Sequence, residues 1–169
     1  SGEGWMLRHK GRLLIPARSV TLGFHSVMEY HPGKGNLRAV AQTGMGVTLF
    51  DVSLGPEGTV NGFLHPSLAR IPHAEEHIAF SLGRVWLDAM PLGHGETGGF
   101  SLNNGGISIT GTRKGGKLAA AQGEGPKEKW TLRCEPGQGP WPAFLRFDQQ
   151  SGGYAVELTQ IEARRLAAK

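Results

Sequence analysis

From Val20 to Tyr30 the chain alternates with a period of two. Val20, Leu22, Phe24, Met28 and Tyr30 take one face and Thr21, His25 and Glu29 the other, with Ser26 and Val27 out of phase. That period predicts a half-buried strand. Pro32 and Gly33-Lys34-Gly35 end it, and a second strand follows over Asn36 to Thr43. Gly44-Met45-Gly46 predicts a tight reversal into Val47 to Leu54, and Gly55-Pro56-Glu57-Gly58 a turn into Thr59 to Leu64. Together these make a meander. Later, Phe100 to Leu102, Ile107 to Thr112, Lys117 to Gln122, Lys129 to Cys134, Ala143 to Phe147 and Tyr154 to Ile161 continue the pattern, mostly with Gly or Pro between them. Counting Met6 to Ile15, about ten or eleven strands are expected.

One segment breaks the pattern. Wound at about 100° per residue, Pro72 to Met90 puts Ala74, Ile78, Leu82, Val85, Trp86 and Ala89 on one arc and His73, His77, Arg84 and Asp88 on the opposite one. This predicts an amphipathic helix with Pro72 in its first turn, Glu75 and Glu76 at its positive end and Pro91 as its stop. The fold class expected is therefore mainly β with one main helix: an open, unclosed antiparallel β-barrel plugged or lidded by that helix. An apolar groove between helix and sheet is a natural place for an acyl chain.

Composition narrows the reading. At 169 residues the chain is expected to form a single domain, residues 1–169, large enough for a real core. With 38% hydrophobic residues and 27 glycines, the apolar supply suits a thin sheet with one buried face. The formal charge of +4 is scattered rather than striped and no recognition motif accompanies it, so nucleic acid is not an expected partner. Arg113, Lys114 and Lys117 sit among glycines and read as a solvated hairpin turn. Cys134, the sole cysteine, alternates in phase with Trp130 and Leu132 and reads as a buried strand residue, not a nucleophile. No stretch approaches the roughly 20 apolar residues that a membrane helix needs. The opening Ser1-Gly2-Glu3-Gly4 reads as a mature or truncated start.

His73-Ala74-Glu75-Glu76-His77 matches the HxxEH pattern of inverted zinc peptidases, in which two histidines one turn apart bind zinc and a glutamate activates water. The winding places His73 and His77 on the polar arc, away from any buried cleft, and no third ligand is identifiable. A solvated pair is the preferred reading. No GxSxG elbow or phosphate loop is present, and neither catalytic residue, metal nor cofactor is expected.

The run Ala39-Val40-Ala41-Gln42-Thr43-Gly44-Met45-Gly46-Val47-Thr48-Leu49-Phe50-Asp51, then a meander, then Ala74-Glu75-Glu76 opening a helix that ends Leu87-Asp88-Ala89-Met90-Pro91, resembles the LolA and LolB proteins of lipoprotein sorting. It is closer to LolB and related bacterial outer-membrane lipoproteins, and the likeness runs from about Val20 to Glu162. The resemblance implies an eleven-stranded unclosed barrel with a helical lid, a cavity for lipoprotein acyl chains, and attachment to the inner leaflet of the outer membrane. It also implies an apolar residue before glycine in the loop between the third and fourth strands, which helps deliver lipoproteins. Met45 before Gly46 matches that place, with Gly44 where a proline is common. Little chain precedes the first strand, so part of the family's lid is expected to be missing.

The expected function is therefore a non-enzymatic envelope lipoprotein that acts as carrier or chaperone in protein transport, on the periplasmic side of the outer membrane and lipid-anchored in its full-length precursor. Phe24, Met28, Leu49, Ile78, Leu82 and Trp86 are the candidate cavity residues, and Met45 is the membrane or cargo contact. An ordinary filled core is the other reading of those six. The expected partners are a lipid or acylated lipoprotein, the outer-membrane surface and a periplasmic carrier protein. Two alternatives stand beside this one: a zinc hydrolase using the histidine pair, and a structural envelope lipoprotein without transfer activity.

Overall fold

A computed structural model describes residues 3–167. Among them eleven strands form one sheet: β1 (Trp5–Ile15), β2 (Val20–His31), β3 (Asn36–Gln42), β4 (Thr48–Gly55), β5 (Gly58–Leu64), β6 (Gly98–Asn104), β7 (Ile107–Lys114), β8 (Lys117–Gly125), β9 (Glu128–Glu135), β10 (Phe144–Gln149) and β11 (Tyr154–Arg165). The order β5-β4-β3-β2-β1-β11-β10-β9-β8-β7-β6 does not close. Between β5 and β6 run a short helix α1 (Pro66–Ala69), a longer α2 (Ala74–Leu82), a π-helical stretch over Gly83–Ala89 and a final turn α3 (Met90–Leu92). The expected class, mainly antiparallel β in an unclosed sheet with one main helical stretch, is the observed one.

Contacts cluster the chain into two units, the first made of the residues up to Gly11, Gly23–Leu87 and those from Gln160 onward, and the second of Arg12–Leu22 and Asp88–Thr159. In the first unit β2, β3, β4 and β5 pair as consecutive antiparallel neighbours, with Met28 opposite Ala39 and Leu37 opposite Leu54. The alternation predicted for β2 is the one seen: Phe24, Met28 and Tyr30 are buried, while Thr21, His25 and Glu29 face solvent. Arg38 and Asp51 form a two-point ion pair on an outward face, with nitrogen to oxygen distances of 3.0 and 2.7 Å.

In the second unit β6 to β10 form hairpin after hairpin, and Trp130, Leu132, Cys134, Leu145 and Phe147 fill the interior. Cys134 is buried as its phase predicts, and burial pushes its thiol up to about 12. Arg113 and Lys117 do flank a hairpin turn, yet neither head group is merely solvated. Arg113 Nε donates to the Leu92 carbonyl at 2.6 Å and Lys117 Nζ to the Gly137 carbonyl at 2.8 Å. Charge runs are read as solvated because main-chain acceptors brought up from elsewhere in the chain are invisible in sequence.

The helical stretch departs from its prediction at both ends. His73 takes a left-handed backbone with φ of 58° as the cap of α2, so Pro72 lies before the helix rather than in its first turn. Pro91 sits inside α3 because it occupies a first-turn position, where its missing N–H is not needed. None of its described helices is long and apolar enough to cross a membrane.

Candidate functional site

All seven residues expected to bind lipid or cargo lie in the first unit. Phe24 and Met28 come from β2, Leu49 from β4, Ile78 and Leu82 from α2, and Trp86 from the π-helical stretch. Phe24, Met28, Leu49 and Trp86 are buried, whereas Ile78 and Leu82 are only half-buried. The first turn of α2 rests on β5: a side chain added at Gly62 would meet Glu75 Oε1 at 2.8 Å.

Trp86 anchors the far end. Its ring packs at 5.5 Å against Tyr30 of β2 and at 5.6 Å against His9 of β1. The Tyr30 hydroxyl donates to the Trp86 backbone carbonyl at 2.6 Å. In a π turn the ladder is wider and carbonyls are less tightly held by their own helix, so an outside donor fixes the turn in place. Burial raises the Tyr30 pKa well above that of a free phenol and keeps it a donor.

His9 is only 3% exposed. Burial lowers its pKa from 6.5 to about 4, so the imidazole is neutral at physiological pH. Sequence reading missed this residue. Its signal was available, since Arg8, Lys10 and Arg12 alternate with Leu7, His9 and Gly11. The phase of three charges in a strand identifies the buried face opposite.

Met45 stands apart from the helix. Thr43 and Gly46 close a turn through Gly46 N–H to the Thr43 carbonyl at 3.0 Å, and the Thr43 N–H reaches the Val47 carbonyl at 2.9 Å. Gly46, with φ of 84°, takes the conformation that other residues avoid. The turn leaves Met45 94% exposed and Val47 47% exposed.

His73 and His77 lie with ring centroids 6.4 Å apart, and His73 Nδ1 is 3.0 Å from Glu76 Oε2. Thus the motif's glutamate is turned to its own histidine on a well-exposed surface, where His73 has 69% of its side chain open. Desolvation and then the neighbouring His73 lower the His77 pKa. Among the described residues no three His, Cys, Asp or Glu side chains converge as a metal site.

No family model and no curated protein matches the chain. Among solved structures it is similar to a domain from Vibrio parahaemolyticus described as an outer membrane lipoprotein-sorting protein, with 8% identity, a TM-score of 0.41, and 98% of this chain and 86% of that one covered. It is also similar to a DUF1329 family protein from Desulfovibrio piger, with 13% identity, a TM-score of 0.35 and coverage of 97% and 86%.

Proposed function

We propose that the chain is a non-enzymatic envelope lipoprotein of the LolB-like kind that holds lipid or lipoprotein acyl chains against the apolar side of α2 and passes them to the outer membrane. Met45 carries the reading: a large apolar side chain stands 94% exposed at a hairpin tip, beside the exposed Val47. A lipid surface or an acyl chain would give this tip cover. Ile78 and Leu82, half-open on the same unit, are the candidate entry to the site, with Phe24, Met28, Leu49 and Trp86 behind them. In this reading the protein works at the periplasmic face of the outer membrane, anchored by lipid in its precursor, and receives cargo from a periplasmic carrier.

Two substitutions test it. Burying a methionine side chain is worth about 1.5–3 kcal/mol, so Met45→Glu should weaken flotation with phosphatidylethanolamine–phosphatidylglycerol vesicles by about tenfold or more while leaving thermal unfolding unchanged. Leu82→Asp should abolish binding of a fluorescent fatty acid, because it places a carboxylate at the entry. Equal vesicle binding by Met45→Glu and the parent, with no fatty-acid binding by either, refutes the proposal.

A further inference from the structure

Strand β6 ends the sheet: it pairs with β7 and no other strand among the described residues. Its register runs without a shift from Gly98 opposite Arg113 to Asn104 opposite Ile107. The devices that usually blunt an edge are missing from Gly98–Asn104, which has no proline, no charge and no bulge. The other edge is treated differently. The β4–β5 pairing shifts register between Ser53 and Leu54, and Glu75 of α2 lies over Gly62.

The face of β6 that continues the core is also unfinished. Leu102 stands opposite Ile109, which is fully buried, yet Leu102 itself is 39% exposed. Phe100, two residues away on the same face, lies over Gly111 and takes the Arg113 guanidinium 4.8 Å from its ring centre.

We propose that this edge pairs with β6 of a second copy of the chain, antiparallel, with Ser101 on the two-fold axis. The sequence is self-complementary about that residue. Turning the strand over puts Phe100 opposite Leu102 of the second copy and Leu102 opposite its Phe100, both on the core face, at the spacing where aromatic and aliphatic cross-strand pairs stabilise a sheet. Gly99 meets Asn103, and no like charges oppose each other. The contact is isologous, so it closes at two copies. Seven residues of strand make a small interface, and the dimer is weak and concentration-dependent.

Sedimentation equilibrium of the whole chain from about 10 µM to about 1 mM should show the mass rising from 18.1 kDa toward twice that value. Ser101→Lys sets two cations against each other on the axis and should hold the protein monomeric over the same range. Ser101→Cys, mildly oxidised, should give a covalent dimer, since Cys134 is buried and does not compete. Asn61→Cys, exposed on β5, should not. A parent that stays monomeric throughout, a Ser101→Lys variant that associates as the parent does, or equal cross-linking of the two cysteine variants would overturn the proposal.

Discussion

His9 makes a sharp test of how the helical stretch is seated. Its imidazole lies against Trp86, and burial lowers its pKa from 6.5 to about 4. Below pH 6.5 the unfolded chain takes up a proton at this residue, while the folded chain refuses it until about pH 4. Stability therefore falls as the pH drops through that window and loses nothing more from this group below it. The whole window is worth roughly 3 kcal/mol, and the part between pH 7.5 and 4.5 about 2.5 kcal/mol. Carboxylates titrate over the same range, so the parent alone is uninformative. His9→Phe keeps a ring against Trp86 and removes the titration. Urea unfolding of both proteins at the two pH values should show the parent losing about 2.5 kcal/mol more than the variant. An NMR titration of the His9 ring should have its midpoint near 4. If parent and variant lose the same stability, His9 is not buried against Trp86 and the seating of the π turn is wrong.

Other outcomes are equally open to measurement. Tyr30→Phe removes the bond to the Trp86 carbonyl and should cost about 1–2 kcal/mol in chemical unfolding; no loss would mean that the π turn holds itself. Gly123→Ala drives a methyl group into the Trp130 ring and should cost about 1–3 kcal/mol with a changed tryptophan emission; a neutral result would show that the ring moves freely. Dialysed parent and His77→Ala should both carry far less than one zinc per chain, because His73 is turned to Glu76; stoichiometric zinc lost in His77→Ala, with peptidase activity in the parent, would revive the hydrolase alternative.

Sequence resolved what is periodic and local. The alternation of β2, the glycine turns and the arc of Val85, Trp86 and Ala89 all appear in the structure where hydrophobic phase and turn chemistry put them. Helix ends were less legible. The left-handed His73 cap and the inclusion of Pro91 depend on how the chain enters and leaves the stretch, which local propensity does not encode. The π turn over Gly83–Ala89 gives no sequence signal, since it is held by Tyr30, whose hydroxyl donates to the Trp86 carbonyl across 56 residues of chain. Strand ends past Leu102 and Ile161 were also missed, because Asn103, Asn104 and the charged end of β11 are poor strand formers kept extended by their neighbours. At the candidate site the seven residues were named from phase and resemblance. His9 was passed over because a histidine reads as polar until its strand neighbours fix the face.

Several of the glycines are sockets for rings. A side chain at Gly11 would strike Phe24, one at Gly111 would strike Phe100, and one at Gly123 would strike Trp130. Gly111 stands directly opposite Phe100, and Gly123 opposite Trp130. A slip of two residues would set Phe100 against Ile109 or Arg113 instead, where a side chain already fills the space. Glycine in these strands therefore acts as the keyway of a lock, reading alignment between neighbouring strands. Evolution should treat Trp130 and Gly123 as one character, a larger residue at 123 becoming tolerable when the ring opposite shrinks in the same lineage, whereas Gly111 stays glycine whatever faces it, because the Ala120 backbone carbonyl also blocks a side chain there.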